Sequence, residues 1–416
     1  CSDGVAVIVN VYINPRPKVV PSVTAQTICD DGTTSITLGS PSTFTSGVIK
    51  FKYTVTATGG VTGFTTPLTD LAKDHLIADE LNNPTDIPQT VTYTVVPLSP
   101  TGCADGPSVD VVVTVNPTPK VVPSVTAQTI CDDGTTSITL GSPSTFTSGV
   151  IKFKYTVTAT GGVTGFTTPL TDLAKDHLIA DELNNPTDIP QTVTYTVVPL
   201  SPTGCADGPS VDVVVTVNPT PKVTISNTKP LICSGDNIDI TVSTPTNSTN
   251  NADLTYLVEV SNTDNANIAG SAWYDGTYIL NYTDIPYLLN GTLSNSGNGP
   301  IKVTYKITPR FTGCNDGNPV ITEVWVDPVV TITANNDTIC NGELTNILPK
   351  SNQTTHNGIR YTWTVTDNPD VTGESASSGN GNNIEAPILQ HLTNNSNTAQ
   401  KVTYTITPFA INNSGN

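Results

Sequence analysis

At 416 residues the chain is too long for one ordinary core and divides into several domains. Only 12% of residues are charged, and the net charge of −18 reflects a scarcity of Lys and Arg; no basic face exists to neutralise phosphates, which excludes a nucleic-acid partner. No apolar run approaches the roughly 20 residues that span a bilayer and no signal peptide opens the sequence, so this segment is expected not to insert into a membrane, with any export signal or anchor outside it.

With 31 Gly, 33 Pro, no Met and abundant Thr, Val, Asn and Ser, the composition is that of short strands joined by many turns. The opening CSDGVAVIVNVYINP has the form of a repeat's end, because CADGPSVDVVVTVNP stands in the same slot before Pro117; residues 1–16 therefore read as the last strand of a preceding repeat. Residues 17–118 recur unchanged as 119–220, a diverged copy covers 221–327, and a fourth covers 328–416 without its last strand. The simplest reading is a window cut from a longer array. Its rival is a chain whose free first strand completes a neighbour's last domain by strand addition.

Four landmarks set the alignment. An I-C turn holds Cys29, Cys131, Cys233 and Cys340; a first tyrosine strand holds Tyr53, Tyr155, Tyr256 and Tyr361; a V-T-Y strand holds Tyr93, Tyr195, Tyr305 and Tyr404; and G-C-x-D-G holds Cys103, Cys205 and Cys314. In Val48–Thr56, Ile49, Phe51, Tyr53 and Val55 alternate with Lys and Thr, the pattern of a half-buried strand. Leu71–Leu81 leaves a short helix open, although later copies do not keep its period. Val109–Val115 is an almost wholly apolar strand, and NPTPK at Asn116–Lys120 is a stiff proline-bearing spacer. About seven strands per hundred residues predict an all-β chain of tandem immunoglobulin-like antiparallel β-sandwich repeats in a linear head-to-tail array.

Eight cysteines at fixed places, without His partners at metal spacing, predict disulfides and an oxidising compartment. Two pairings are open. Closure within repeats joins Cys29 to Cys103, Cys131 to Cys205 and Cys233 to Cys314. An immunoglobulin-like strand order, however, puts the first turn and the last hairpin at opposite ends of a sandwich, over about 20 Å apart, whereas a disulfide needs Cα atoms within about 7 Å. Pairing across junctions, Cys29 with Cys205 and Cys131 with Cys314, is favoured on that ground.

The acidic residues Asp30, Asp31, Asp132, Asp133, Asp207 and Asp316, with Asp105, are either ordinary Asp-Gly turn chemistry or a Ca²⁺ site at a junction; no other cofactor is expected. Tyr93 and its equivalents are core tyrosines or tyrosine corners. Four His, among them His75 and His177 near Asp74 and Asp79, show no catalytic spacing, and identical adjacent copies lengthen a stalk but add little to an enzyme, so no enzymatic activity is expected. Asn247, Asn281, Asn290, Asn336, Asn352, Asn394 and Asn412 head N-x-[ST] triplets of the kind chance produces, and Thr338 lies in an Asp-Thr-Ile tripeptide that is a candidate O-glycosylation site.

This succession of I-C turn, tyrosine strand, V-T-Y-x-V-x-P, G-C-x-D-G and final V-x-V strand resembles the PKD-like and Ig-like repeats of giant surface adhesins of Bacteroidota, most closely the SprB-like gliding-motility adhesins. The resemblance implies type IX secretion, display on the outer membrane of a Gram-negative cell, and adhesion to an external surface or polysaccharide. Two functions stay open: a structural stalk whose partners are the neighbouring repeats, or repeated binding modules. A lectin-like module needs an aromatic cluster in every copy, and Trp273, Trp325 and Trp363 have no counterparts in the first two; the stalk is favoured.

Overall fold

Thr and Val alternate through the long strands, and β-branched residues favour the pleated conformation because their stiff side chains pack well there. The computed structural model describes residues 3–65, 68–167, 169–247, 253–377 and 381–411; Cys1 and Asn412 lie outside them. Two compact units result, one of residues 1–186 with 191–217 and one of residues 187–190 with 218–416. All regular structure among the described residues is β, apart from short 3-10 turns such as Tyr282–Asp284.

In the first unit, residues 17–118 form β1 (Val20–Pro21), β2 (Ala25–Cys29), β3 (Gly32–Thr33), β4 (Ile36–Gly39), β5 (Lys50–Ala57), β6 (Leu68–Ala72), β7 (Leu76–Ile77), β8 (Glu80–Leu81), β9 (Gln89–Leu98) and β10 (Val109–Asn116). One sheet runs β2-β10-β9-β5-β6; facing it are β1-β4-β7 and the β3-β8 pair. Residues 119–220 repeat this order strand for strand. The core between the sheets holds Leu38, Phe51, Tyr53, Tyr93, Val111, Val113 and Val115, with an equivalent set in the second copy. Leu71–Leu81 is not a helix: Asp70 and Asp74 sit at positive φ, which interrupts any helical run, and three short strands form instead.

β2 lies parallel to β10, with Ala25 opposite Val112 and Cys29 opposite Asn116. This parallel pairing fixes the poles of the repeat. The I-C turn lies where the last strand ends, and the G-C-x-D-G hairpin lies where it begins.

In the second unit, a five-stranded sheet orders Leu231–Cys233, Val320–Asp327, Ile301–Phe311, Leu254–Asn262 and Gly276–Asn281, again with the first strand parallel to the last, Cys233 opposite Asp327. In the fourth repeat Ile359–Thr366 pairs along its length with Thr403–Ala410. Residues 334–340, which stand where β2 stands, form no strand. The buried cluster there is reduced to Ile347, Tyr361 and Ile388.

Candidate functional site

The two glycines and the aspartate of G-C-x-D-G each have a task. Gly102 turns the hairpin at φ +71°. Asp105 accepts the Ser99 N–H at 3.3 Å and pairs with Lys52 at 3.2 Å. A Cβ on Gly106 would lie 1.9 Å from the Pro17 carbonyl oxygen, so only glycine lets the hairpin close onto the linker; Gly208 and Gly317 meet Pro119 and Pro221 in the same way. The cysteine is thereby held at one pole of its repeat.

At the other pole, the carboxylate of Asp30 accepts the Asn83 N–H at 2.7 Å and the Thr118 hydroxyl at 2.8 Å, while Asp31, at φ 58°, accepts the Asn82 amide at 2.8 Å. Asp132 and Asp133 repeat the bonds to Asn185 and Asn184. Thr118 belongs to the linker, so the acidic turn grips the spacer to the next repeat. Asp207 pairs with Lys154 at 2.8 Å and Asp316 with Arg310 at 3.0 Å. Among the described residues no group of three or more His, Cys, Asp or Glu side chains converges as a metal ion would need.

Cys29 and Cys205 form a disulfide, with Cα atoms 5.6 Å apart and a separation of 176 positions in sequence. The bond joins the I-C turn of repeat one to the hairpin of repeat two. Closure within repeats does not form: Cys103 and Cys233 are exposed thiols, as is Cys340, whereas Cys131 and Cys314 are both oxidised. The reason is the parallel register. Cys29 sits beside Asn116, and the eight residues of β10 place Cys103 about 25 Å away at the opposite pole.

Further bonds hold this junction. The Asp86 carbonyl accepts the Thr145 N–H at 3.0 Å, the Asn116 side chain accepts the Thr147 N–H at 3.1 Å, and Lys120 pairs with Asp86 at 2.7 Å. Equivalent bonds recur in the second unit, where Asp188 pairs with Lys222 at 2.6 Å, the Asn298 carbonyl accepts the Thr354 N–H at 2.8 Å, and Asp327 accepts the His356 N–H at 2.8 Å. Asn14 makes the same bond to Thr45, at 2.9 Å. Exposed ion pairs contribute about 0–1 kcal/mol each, so the disulfide dominates. Thr338 is exposed, its N–H bonded to the Asp337 carboxylate.

In the first three sandwiches the V-T-Y tyrosine is a fully buried core residue, and in the fourth it is half-buried; its hydroxyl needs an acceptor. Tyr93 donates to Asp79 at 2.6 Å, and the same carboxylate accepts the Thr65 hydroxyl at 2.8 Å; Thr65 in turn lies 2.8 Å from the Tyr53 hydroxyl. Tyr195 and Asp181 repeat this pair. In repeat three Tyr305 donates to the Trp273 carbonyl, and in repeat four Tyr404 donates to the Gln390 amide oxygen. The tyrosine is constant and its acceptor varies.

Burial first, and the hydrogen bond to Asp79 second, push the Tyr93 hydroxyl far above its ordinary value of 10; burial raises Tyr256 to about 12. A folded-state pKa above the unfolded one means that, above pH 10, the unfolded chain loses protons that the folded chain retains, so stability is complete below pH 10 and falls as pH rises beyond it. Stepwise alkaline titration is expected to show buried tyrosinate absorbance appearing together with loss of the β circular-dichroism signal. Ionisation of every tyrosine near pH 10 without unfolding would contradict this burial.

A family model described as a PKD-like domain matches residues 26–119, 128–221 and 337–416. The third repeat lies outside these matches. A search of curated proteins finds no significant match. Among solved structures, mouse cadherin-23 EC22-24 is 14% identical with a TM-score of 0.38, over 76% of this chain and 99% of that one. The human desmocollin-1 ectodomain is 11% identical with a TM-score of 0.29, over 95% and 79%. With most of its length matched by that one family model, the chain belongs to the PKD-like domain family.

Proposed function

We propose that this chain is a load-bearing stalk segment of a long extracellular surface adhesin. One observation carries the reading: a disulfide ties two sequence-identical repeats across their junction, so the covalent connection between neighbours does not depend on the proline spacer alone. Bonds from Asp30, Asp86 and Asn116 to the linker and to the next repeat act in the same direction. The same rule predicts that Cys131 pairs with Cys314. Disulfides place the protein in an oxidising compartment outside the cytoplasm. Display on a Gram-negative outer membrane, type IX export and surface attachment during gliding are drawn from the sequence resemblance, with the adhesive tip elsewhere in the parent protein.

Non-reducing proteolysis with mass spectrometry is expected to recover the Cys131 peptide linked to that of Cys314, and small-angle scattering is expected to show a broader distribution of dimensions once reductant is added. Cys233 linked to Cys314, or scattering unchanged by reduction, would replace the stiff stalk with independent beads.

A further inference from the structure

The edge of a sheet carries unpaired backbone groups, and the repeats differ in how they guard the edge of the five-stranded sheet. In repeat one that edge is β6. Its register with β5 slips between Phe51 and Tyr53, Asp70 stands at φ 67°, and Lys50 pairs with Asp70 at 2.8 Å. A bulge, a bend and a charged pair make a poor template for another strand. Repeat two keeps all three, with Asp172 at φ 65° paired to Lys152 at 2.7 Å.

Repeat three has none of them. Its edge strand, Gly276–Asn281, keeps unbroken register with Leu254–Asn262, from Gly276 opposite Val260 to Asn281 opposite Thr255. The run Gly-Thr-Tyr-Ile-Leu-Asn holds no charge and no proline, and its central residues favour strands. Ile279 lies 65% exposed on the outer face. The Asn281 N–H bonds to the Asp284 carboxylate at 2.9 Å and so points away from the sheet. Backbone groups alternate sides along a strand, so the N–H and C=O of Thr277 and Ile279 point the same way, and among the described residues nothing bonds to them there. Tyr278, between them, is held on the inner face, its ring stacked on Trp273 at 4.0 Å and its hydroxyl bonded to the Asp275 carbonyl at 2.8 Å.

We infer that Gly276–Asn281 pairs antiparallel with the same strand of a second copy, about a two-fold axis through Tyr278, so that two five-stranded sheets become one. Thr277 then stands opposite Ile279 of the second copy, and Ile279 opposite its Thr277. This register engages every free N–H and C=O of both residues. Sliding it one step either way leaves some unpaired, because the Asn281 N–H and the Asp275 carbonyl are already engaged within the chain.

Charge favours a second copy as the occupant. Asp275 falls opposite Asn281 of the other chain rather than opposite a carboxylate, and the paired strands contain no charged side chain. On the outer face Ile279 is covered by Thr277 of the second copy; on the inner face the two Tyr278 side chains meet across the closer, non-hydrogen-bonded pair. One strand from each side buries less than the roughly 1,200 Å² of stable complexes, so the pairing is weak, with a dissociation constant on the order of 0.1 mM. Chains crowded on one surface are then joined side by side through repeat three. This pairing does not rest on the stalk reading, since it requires only the edge strand.

The test uses the full chain with its free thiols alkylated, so that no new disulfide forms, and follows sedimentation from about 10 μM to about 1 mM. A monomer–dimer equilibrium is expected. Over that range hydrogen exchange at the Thr277 and Ile279 amides is expected to slow about fivefold, while Tyr278 and Leu280, bonded to Leu254–Asn262, stay protected throughout. Thr277→Pro removes an N–H that the single chain does not use, and Ile279→Lys puts a charge on the seam; both are expected to abolish the dimer and leave the thermal transition in place. If the proline variant unfolds, Ile279→Lys still reads the interface, because that side chain is exposed in the single chain. A monomer at every concentration, a dimer that Ile279→Lys leaves intact, or Thr277 and Ile279 amides protected equally at every concentration would overturn the proposal.

Discussion

Stretched between its termini with Cys131 and Cys314 replaced by Ser and the remaining thiols capped, the oxidised chain is expected to release roughly 600 Å less contour length than the reduced chain. The figure follows from the 176-position separation of Cys29 and Cys205, at about 3.4 Å per extended residue. Force entering repeat one reaches Cys29 at the end of β2, crosses to Cys205, and leaves through the strand Val211–Asn218. The strands between them, including both V-T-Y strands and both copies of β5, stay off the load path while the bond is intact. Repeats one and two can then lose their noncovalent packing under tension without lengthening by more than the short segments outside the bond. Single-molecule extension with and without reductant makes the measurement, and equal contour lengths in the two conditions would remove the mechanical role assigned to this disulfide.

The poles of the repeat could be read from sequence because strand length and disulfide reach are incompatible within one sandwich. Eight residues of β10 exceed the reach of any disulfide, so strand order separated Cys29 from Cys103 without coordinates. The parallel pairing of β2 with β10 is less accessible, since β2 is five residues long and carries little alternation. Leu71–Leu81 misleads because Leu, Ala and Lys favour helix, while the turns at Asp70 and Asp74 depend on a positive φ that no composition rule forces on Asp. Asp79 was overlooked as a core residue although the signal is present. Ile77, Asp79, Leu81 and Asn83 alternate at a period of two and are all buried, and Gln390 holds the matching place in repeat four. The acidic turn was legible as turn chemistry, but its grip on Thr118 requires the neighbouring linker to be placed first.

Asp79→Ala is expected to destabilise repeat one by about 2–4 kcal/mol, because the buried Tyr93 hydroxyl is left without a partner at about 1–3 kcal/mol and the two bonds that the more exposed Thr65 donates to that carboxylate are lost as well. Tyr93→Phe is expected to cost less, about 1–2 kcal/mol, since the carboxylate keeps both bonds from Thr65. Asp79→Gln is expected to recover part of the alanine loss, as Gln390 already accepts the Tyr404 hydroxyl at 2.7 Å in the same setting. Repeat two supplies an internal control of identical sequence whose Asp181 network is untouched. A penalty of about 3 kcal/mol in a hundred-residue domain lowers its midpoint by about 10–20 °C, so a transition shared by the two copies in the parent chain is expected to split in the variant. Calorimetry under oxidising conditions, with hydrogen exchange to assign each step, reads the result. No shift would mean that the tyrosine, and not its acceptor, holds the core. A shift without splitting would mean that the stapled junction couples the two repeats more strongly than the network stabilises either one.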